Sequence, residues 1–152
     1  MGLVFSSADQ AVAASGMNLG ASEWLTIDQA RIDAFADATG DHQWIHVDPV
    51  RAKDGPFGRT VAHGYLTFSL INMFLPDLIR AEGATMGLNY GADRLRFPAA
   101  VPVGSRIRFA GTLADAKLTG DGGVQITTRV TVELEGSERP ACVADILSRF
   151  YF

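Results

Sequence analysis

Residues 64–80 form a segment with helical spacing that is apolar on nearly every side. Its apolar residues are Tyr65, Leu66, Phe68, Leu70, Ile71, Met73, Phe74 and Leu75. A helix of this kind is buried on most of its faces. Because the chain has 152 residues, which is the size of one domain, we expect a central helix with a sheet wrapped around it.

The chain after residue 84 has the alternating pattern of β-strands. The pattern is clearest from 124 to 134, where apolar and polar residues alternate. Strands are predicted at 86–90, 94–97, 105–113, 124–134 and 142–152, with a hairpin turn at 119–123. Helices followed by consecutive antiparallel strands predict an α+β fold with helices on one face of a sheet.

Shorter elements are expected before residue 64. Thr26 and Gln29 have the spacing of a capping box, and Gly40 lies where a C-terminal cap belongs, so a helix is expected over about 27–39. A short strand at 22–25 and a short helix at 48–52 are also predicted. Residues 1–20 are small and polar and are expected to pack loosely or against a partner. The chain is therefore divided into an N-terminal arm at 1–21 and one domain at 22–152.

Composition argues against several classes of partner. The net charge is −4, whereas a protein that neutralises nucleic-acid phosphates needs a basic surface. The most apolar stretch is too short to cross a bilayer, and residues 1–16 lack the Lys or Arg of a secretory signal. Cys142 is the single cysteine, which agrees with a reducing compartment. We expect a cytoplasmic protein that binds neither nucleic acid nor membrane.

The residues suited to acid–base chemistry lie in one long irregular segment, 41–63. Asp41 and His46 could hold a water between a carboxylate and an imidazole, of which one accepts a proton and the other donates one to a substrate. Five residues apart, they converge only if the chain turns between them, which Gly40 allows. The alternative is an Asp that caps a short helix and a His that packs on a loop.

The same segment also contains candidate metal ligands. His42 and His46 are four residues apart, which is the spacing of a metal-binding pair, and His63 or Asp48 could complete it. The sequence has no HExxH motif, no cysteine cluster and no clear third ligand. We therefore expect no metal.

His63 and Gly64 open the central helix. The first turn of a helix exposes unpaired backbone N–H groups, and glycine lets a ligand approach them closely, as an oxyanion hole for a thioester carbonyl requires. The alternative is a helix start that needs room in the core. Ser69 and Asn72 are polar groups of the same helix that could contact a substrate, although such side chains often bond locally.

These segments resemble the MaoC-like, (R)-specific enoyl-CoA hydratases of the hot-dog fold. The main match runs from Phe35 to Ala52. It keeps Gly40, Asp41, Ile45, His46 and Ala52 of the family pattern, while Gln43 and Trp44 replace the usual Asn-Pro. Further matches are Thr60–Thr67, Asn89–Gly91, Arg96–Pro98 and Val101–Ser105. Together the matches cover residues 22–113.

The resemblance implies a long antiparallel sheet around the central helix and a homodimer with active sites near the subunit interface. It implies that Asp41 and His46 activate water for syn addition to a trans-2-enoyl thioester of coenzyme A or acyl-carrier protein, or for the reverse dehydration. The product of hydration would be an (R)-3-hydroxyacyl thioester. The Gly64 N–H would bind the thioester oxygen, and no cofactor is implied. The substrate-binding candidates are Gly64, His63, Ser69, Asn72, Asn89 and Tyr90.

Two other functions are compatible with this fold. A hot-dog acyl-thioesterase would use a carboxylate to direct water at the carbonyl carbon, although an Asp and a His five residues apart favour hydration. A non-catalytic acyl-binding or heterodimer-forming subunit is the other alternative. The presence of both Asp41 and His46 counts against it.

Overall fold

The computed structural model describes residues 2–152 and contains eight strands and six helices in that range. In chain order these are β1 (Leu3–Phe5), α1 (Ala8–Ala13), β2 (Asn18–Ala21), β3 (Leu25–Thr26), α2 (Gln29–Thr39), α3 (Trp44–Val47), α4 (Pro49–Lys53), α5 (Gly64–Ser69), α6 (Ile71–Leu78), β4 (Ile79–Ala81), β5 (Met86–Arg96), β6 (Arg106–Leu118), β7 (Gly123–Leu134) and β8 (Cys142–Tyr151). Among these residues no helix is long and apolar enough to span a membrane.

The long strands form one antiparallel sheet. Its order is β2-β6-β7-β8-β5, and β3 also pairs with β6. Alternation along these strands places large apolar side chains such as Phe109, Ile126 and Val130 on the inner face, where they are almost fully buried. The strand β5 closes one edge of the sheet, because β8 is its only strand partner within residues 2–152. The predicted α+β class is confirmed.

The central helix lies against the inner face of the sheet. It consists of α5 and α6, and its buried side chains include Leu66, Ile71 and Phe74. The Phe74 ring stacks on Phe109 with 6.3 Å between ring centroids. The helix is shorter than predicted, because the chain leaves it after Leu78 to form β4. It is also not buried on every side, since Tyr65 is 66% exposed.

The N-terminal residues pack into the core. The strand β1 pairs in parallel with β4, in the register Leu3 with Ile79. The side chains of Leu3, Phe5, Ala11 and Leu19 are buried, and the Phe5 ring contacts Phe150 edge-on at 5.6 Å. The loose packing expected of residues 1–20 is therefore wrong for the described part of that segment. The segment lies close to the end of α6, where a Cβ atom at Gly2 would lie 2.6 Å from the Leu78 carbonyl oxygen.

Two local predictions fail for identifiable reasons. The helix α2 is capped by Asp28, whose carboxylate accepts a hydrogen bond from the Arg31 N–H at 2.9 Å, and not by Thr26. The strands predicted at 86–90 and 94–97 are one strand, β5, with two register shifts. Arg94 lies in the second shift with a φ of 52°, which is unusual for a residue with a side chain.

Candidate active site

The end of α2 sets the position of Asp41. Gly40 adopts a left-handed conformation with φ of 77°, which ends the helix and turns the chain. After this turn the short helix α3 presents His46 on the same side as Asp41. The turn that the sequence analysis required between the two residues is therefore present, although Gln43 and Trp44 replace Asn-Pro.

Gln29 holds the loop that follows. Its side-chain amide donates to the His46 carbonyl oxygen at 2.7 Å, and its amide oxygen accepts from the Thr60 hydroxyl at 2.6 Å. The Val61 N–H also donates to the Ile45 carbonyl at 2.9 Å. These bonds tie α2, α3 and residues 60–61 together. This role of Gln29 was not predicted, because its spacing from Thr26 indicated a capping box.

The ring of His46 is oriented by a backbone carbonyl. Its Nδ1 lies 2.6 Å from the Val61 carbonyl oxygen. Because a carbonyl oxygen can only accept, Nδ1 carries the proton and Nε2 of the neutral ring is free to accept another. Burial is the main cause that lowers the pKa of His46 below 6.5, and nearby His63 lowers it further. The neutral form therefore predominates near pH 7.

His63 packs against His46 and holds the backbone of Asp41. The two imidazoles stack with 3.8 Å between centroids, and the Phe35 ring lies 4.9 Å from His63 on another side. The His63 Nε2–H donates to the Asp41 carbonyl oxygen at 2.9 Å. Its Nδ1 is buried and has no hydrogen-bond partner among residues 2–152.

Asp41 is the exposed member of this group. One side-chain ligand atom each from Asp41, His46 and His63 lies within 4.8 Å of the other two. The Asp41 carboxylate also accepts a long hydrogen bond of 3.4 Å from the Gln43 N–H. Gln43 is the residue before α3, and α3 has no side-chain cap, so Asp41 bonds within the loop and does not cap the helix. The contact leaves a second carboxylate oxygen available.

The three side chains are a poor metal site in spite of their proximity. The His46 Nδ1 and the His63 Nε2 are both engaged with carbonyl oxygens. The rings are stacked with centroids 3.8 Å apart and planes 22° apart, so the remaining nitrogen lone pairs lie in two nearly parallel planes, which do not meet at one ion close to both rings. His42, the other half of the metal pair considered above, instead bonds Asp37 at 2.8 Å.

A cavity of about 230 Å³ adjoins His46 and the start of the central helix. His46, Gly64 and Thr67 line it together with Phe97. A Cβ atom at Gly64 would lie 2.7 Å from Cδ2 of Phe97, so a larger residue fits only if the ring or the helix moves. The unpaired N–H groups of the first turn of α5 begin at this point. An imidazole and a helix N-terminus therefore share one cavity.

The other four substrate-binding candidates lie elsewhere. Ser69, Asn72, Asn89 and Tyr90 line a separate cavity of about 250 Å³ between the central helix and β5. The Ser69 hydroxyl donates to the Tyr65 carbonyl at 2.7 Å, which is the local bond considered as its alternative. The Tyr90 ring lies 3.5 Å from the Arg149 guanidinium carbon. Asn72 and Asn89 also line a larger cavity.

Comparison with known proteins identifies the family. Residues 10–135 match the MaoC-like domain model. The chain is 49% identical over 146 residues to 3-hydroxyacyl-thioester dehydratase Z of Mycobacterium tuberculosis, with 96% of this chain and 97% of the relative covered. It is 48% identical to nodulation protein N of Rhizobium leguminosarum, with 90% and 86% covered.

A solved structure extends this likeness to the fold. The (R)-hydratase from A. caviae involved in PHA biosynthesis superimposes with a TM-score of 0.67 at 24% identity, and the match covers 88% of this chain and 94% of that one. The likeness supports the hot-dog fold, as predicted. The chain therefore belongs to the MaoC-like dehydratase family, a family of hydro-lyases with the hot-dog fold.

Proposed function

We propose that the protein adds water to trans-2-enoyl thioesters to give (R)-3-hydroxyacyl thioesters, or catalyses the reverse dehydration. The observation that carries this proposal is the convergence of Asp41 and His46 beside a cavity that His46 and Gly64 line together. The names of the relatives, which include a 3-hydroxyacyl-thioester dehydratase at 49% identity, support the same reaction class.

In this mechanism Asp41 and His46 hold the reacting water. One hydrogen of the water is donated to the free Nε2 of His46 and the other to the Asp41 carboxylate, which directs the oxygen at the β-carbon. As the C–O bond forms, His46 accepts a proton, and the Asp–His pair returns a proton to the α-carbon on the same face. Such paired groups contribute about 100- to 10,000-fold to rate. The buried, neutral imidazole is suited to the acceptor role.

The start of the central helix stabilises the charge that develops. Addition at the β-carbon moves an electron pair toward the thioester oxygen, which becomes an enolate oxygen. The Gly64 N–H, in the first turn of α5, donates a hydrogen bond to that oxygen. His63 positions both halves, because it stacks on His46, bonds the Asp41 carbonyl and directly precedes Gly64.

The proposal also includes the substrate carrier and a dimer, and it requires no cofactor. The substrate is a thioester of coenzyme A or acyl-carrier protein, and the reaction needs no metal or redox cofactor. The protein forms a homodimer through β5, whose eleven residues are mostly exposed at the sheet edge. Leu88 and Tyr90 are 43% and 55% exposed there. A long unprotected edge strand favours pairing with a second strand.

The test is to incubate the protein with crotonyl-CoA and with a longer trans-2-enoyl-CoA. Hydration is monitored as the loss of enoyl-thioester absorbance. We expect an (R)-3-hydroxyacyl product, no free thiol, and the same rate after treatment with a chelator. Release of free thiol without hydration would favour the thioesterase. Tight binding without turnover, with coenzyme A and acyl-carrier thioesters alike, would favour a non-catalytic subunit.

A further inference from the structure

A cavity beside the C-terminal half of the central helix contains polar groups that the proposed reaction does not use. It has a volume of about 590 Å³ and lies between the C-terminal end of the central helix and the inner sides of β5 and β8. Asn72, Asn89 and Ser148 line it among apolar residues such as Leu75, Ile126 and Phe150. Three elements, α6, β5 and β8, each contribute one neutral polar side chain.

Ser148 is the most informative of the three. Its residue is 6% exposed, and its hydroxyl has no hydrogen-bond partner within residues 2–152. It lies directly between Asn89 of β5 and Ile126 of β7 in the strand register. The neighbouring inner positions of β8, Ile146 and Phe150, are apolar. A hydroxyl at this point is costly in a cavity built for hydrocarbon alone.

Asn72 and Asn89 continue this polar surface into a neighbouring cavity that Ser69 also lines. Both residues line the 590 Å³ cavity and the adjoining cavity of about 250 Å³. Neither side-chain amide bonds another residue in the described range. Both residues are exposed in the protomer, so a hydrocarbon chain laid over them would displace part of their water without replacing the hydrogen bonds that this water makes. Each unpaired group weakens binding roughly tenfold.

The cavity offers no net charge to a ligand. Arg80 and Glu82 both line it, but their side chains pair with each other at 3.4 Å. A carboxylate on the ligand would meet Glu82 as well as Arg80. A ketone or hydroxyl, which needs hydrogen bonds and no counter-charge, fits the three neutral side chains better.

The polar groups lie far from the reacting carbons. Gly64 and Asn72 are eight residues apart along the central helix, which corresponds to about 12 Å of helical rise. From these observations we infer that the preferred thioesters carry a ketone or hydroxyl near the far end of the acyl group, bound by Asn72, Asn89 and Ser148. The inference rests on the proposed function, because it names the substrate class for the same site.

The test compares trans-2-decenoyl-CoA with its 9-oxo, 9-hydroxy and 5-oxo derivatives. We expect kcat/KM for the 9-oxo or 9-hydroxy substrate to exceed that for the plain chain by roughly tenfold or more. The 5-oxo substrate, whose oxygen lies near the thioester, should gain nothing. Equal or better turnover of the plain chain would overturn the inference and leave the proposed function standing. Absence of hydration with all four substrates and with crotonyl-CoA would overturn both.

Variants assign the effect to the cavity. In Asn72→Leu and in Ser148→Ala, the ratio of kcat/KM for the oxygenated chain to kcat/KM for the plain chain, both measured on the same variant, should fall toward one. Met73→Leu is the matched control, because Met73 is a neighbouring helix residue that is 52% exposed and does not line this cavity. A preference that survives in Asn72→Leu and Ser148→Ala would contradict the assignment. Calorimetric binding of saturated 9-oxodecanoyl-CoA and decanoyl-CoA measures the same preference without turnover.

Discussion

The loop that carries Asp41 and the edge strand β5 are held in opposite ways. In the loop, buried polar groups mostly find partners within the chain: the His46 ring bonds Val61, and the His63 ring bonds Asp41. Along β5 and the cavity beside it, Asn72, Asn89 and Ser148 have no side-chain partners among residues 2–152. The protomer thus holds the proposed acid–base groups in place and leaves the proposed substrate-binding and dimer surfaces open.

The largest effect is expected when the proposed acid–base groups of the loop are removed. Asp41→Asn and His46→Gln should each lower kcat about 100- to 10,000-fold, because proton transfer in the proposed mechanism needs both. The circular dichroism spectrum and the dimer should be unchanged. His42→Gln is the control, since His42 bonds Asp37 outside the cluster. A near-normal rate in either catalytic variant would disprove its assigned role.

Gly64→Ala tests how tightly the start of the central helix packs against Phe97. The new Cβ would meet the Phe97 ring at 2.7 Å, so the ring or the helix must move. We expect a loss of about 1–3 kcal/mol in the free energy of unfolding and a tenfold or larger drop in kcat. Gly91→Ala provides the comparison for stability, because its Cβ would have its nearest contact at 4.0 Å. Equal free energies of unfolding in the two variants would mean that the Phe97 ring can move aside at little cost.

The open edge is tested by adding charge to it. Leu88→Lys places an ammonium group on β5, and charge on an edge strand opposes pairing with another strand. Light scattering should show a shift from dimer to monomer in this variant. Val50→Lys, at a position that is 83% exposed on α4, should leave the dimer intact. A Leu88→Lys protein that stays dimeric would place the interface elsewhere.

The smallest expected effect is on pH dependence. Burial holds the pKa of His46 below 6.5 in the folded protein, so below pH 6.5 the unfolded chain binds more protons at this site and stability falls. The acid limb of kcat/KM should likewise lie below pH 6.5. His42 acts in the other direction, because its bond to Asp37 raises its pKa and stabilises the fold at lower pH. Denaturation of His46→Gln and His42→Gln across this range should separate the two contributions.

Much of the fold could be predicted from periodicity. Val124–Leu134 alternates except at Thr128, and the observed strand is Gly123–Leu134. The first and fourth strands were not predicted, because three residues such as Leu3–Phe5 carry no period of their own. Their pairing depends on contact between segments about 76 positions apart, in the register Leu3 with Ile79.

Some residues of the candidate site were predicted from the sequence and others were missed. Asp41, His46, His63 and Gly64 lie together, and the loop and motif matches had grouped them. Gln29 was assigned to a cap because local spacing dominates sequence reasoning, whereas its bonds reach His46 and Thr60. Ser148 went unnoticed, although a lone hydroxyl among inward-facing apolar residues of the strand 142–152 was a usable sign.

The hydrogen bond from His63 to the Asp41 carbonyl has a consequence for regiochemistry. In the proposed reaction the water is held at the loop and the carbonyl oxygen at Gly64, the residue after His63. The bond therefore helps to fix the distance between the bound water and the thioester carbonyl group. That spacing selects the carbon that water attacks, so the outcome of the addition is set by the backbone as well as by the side chains.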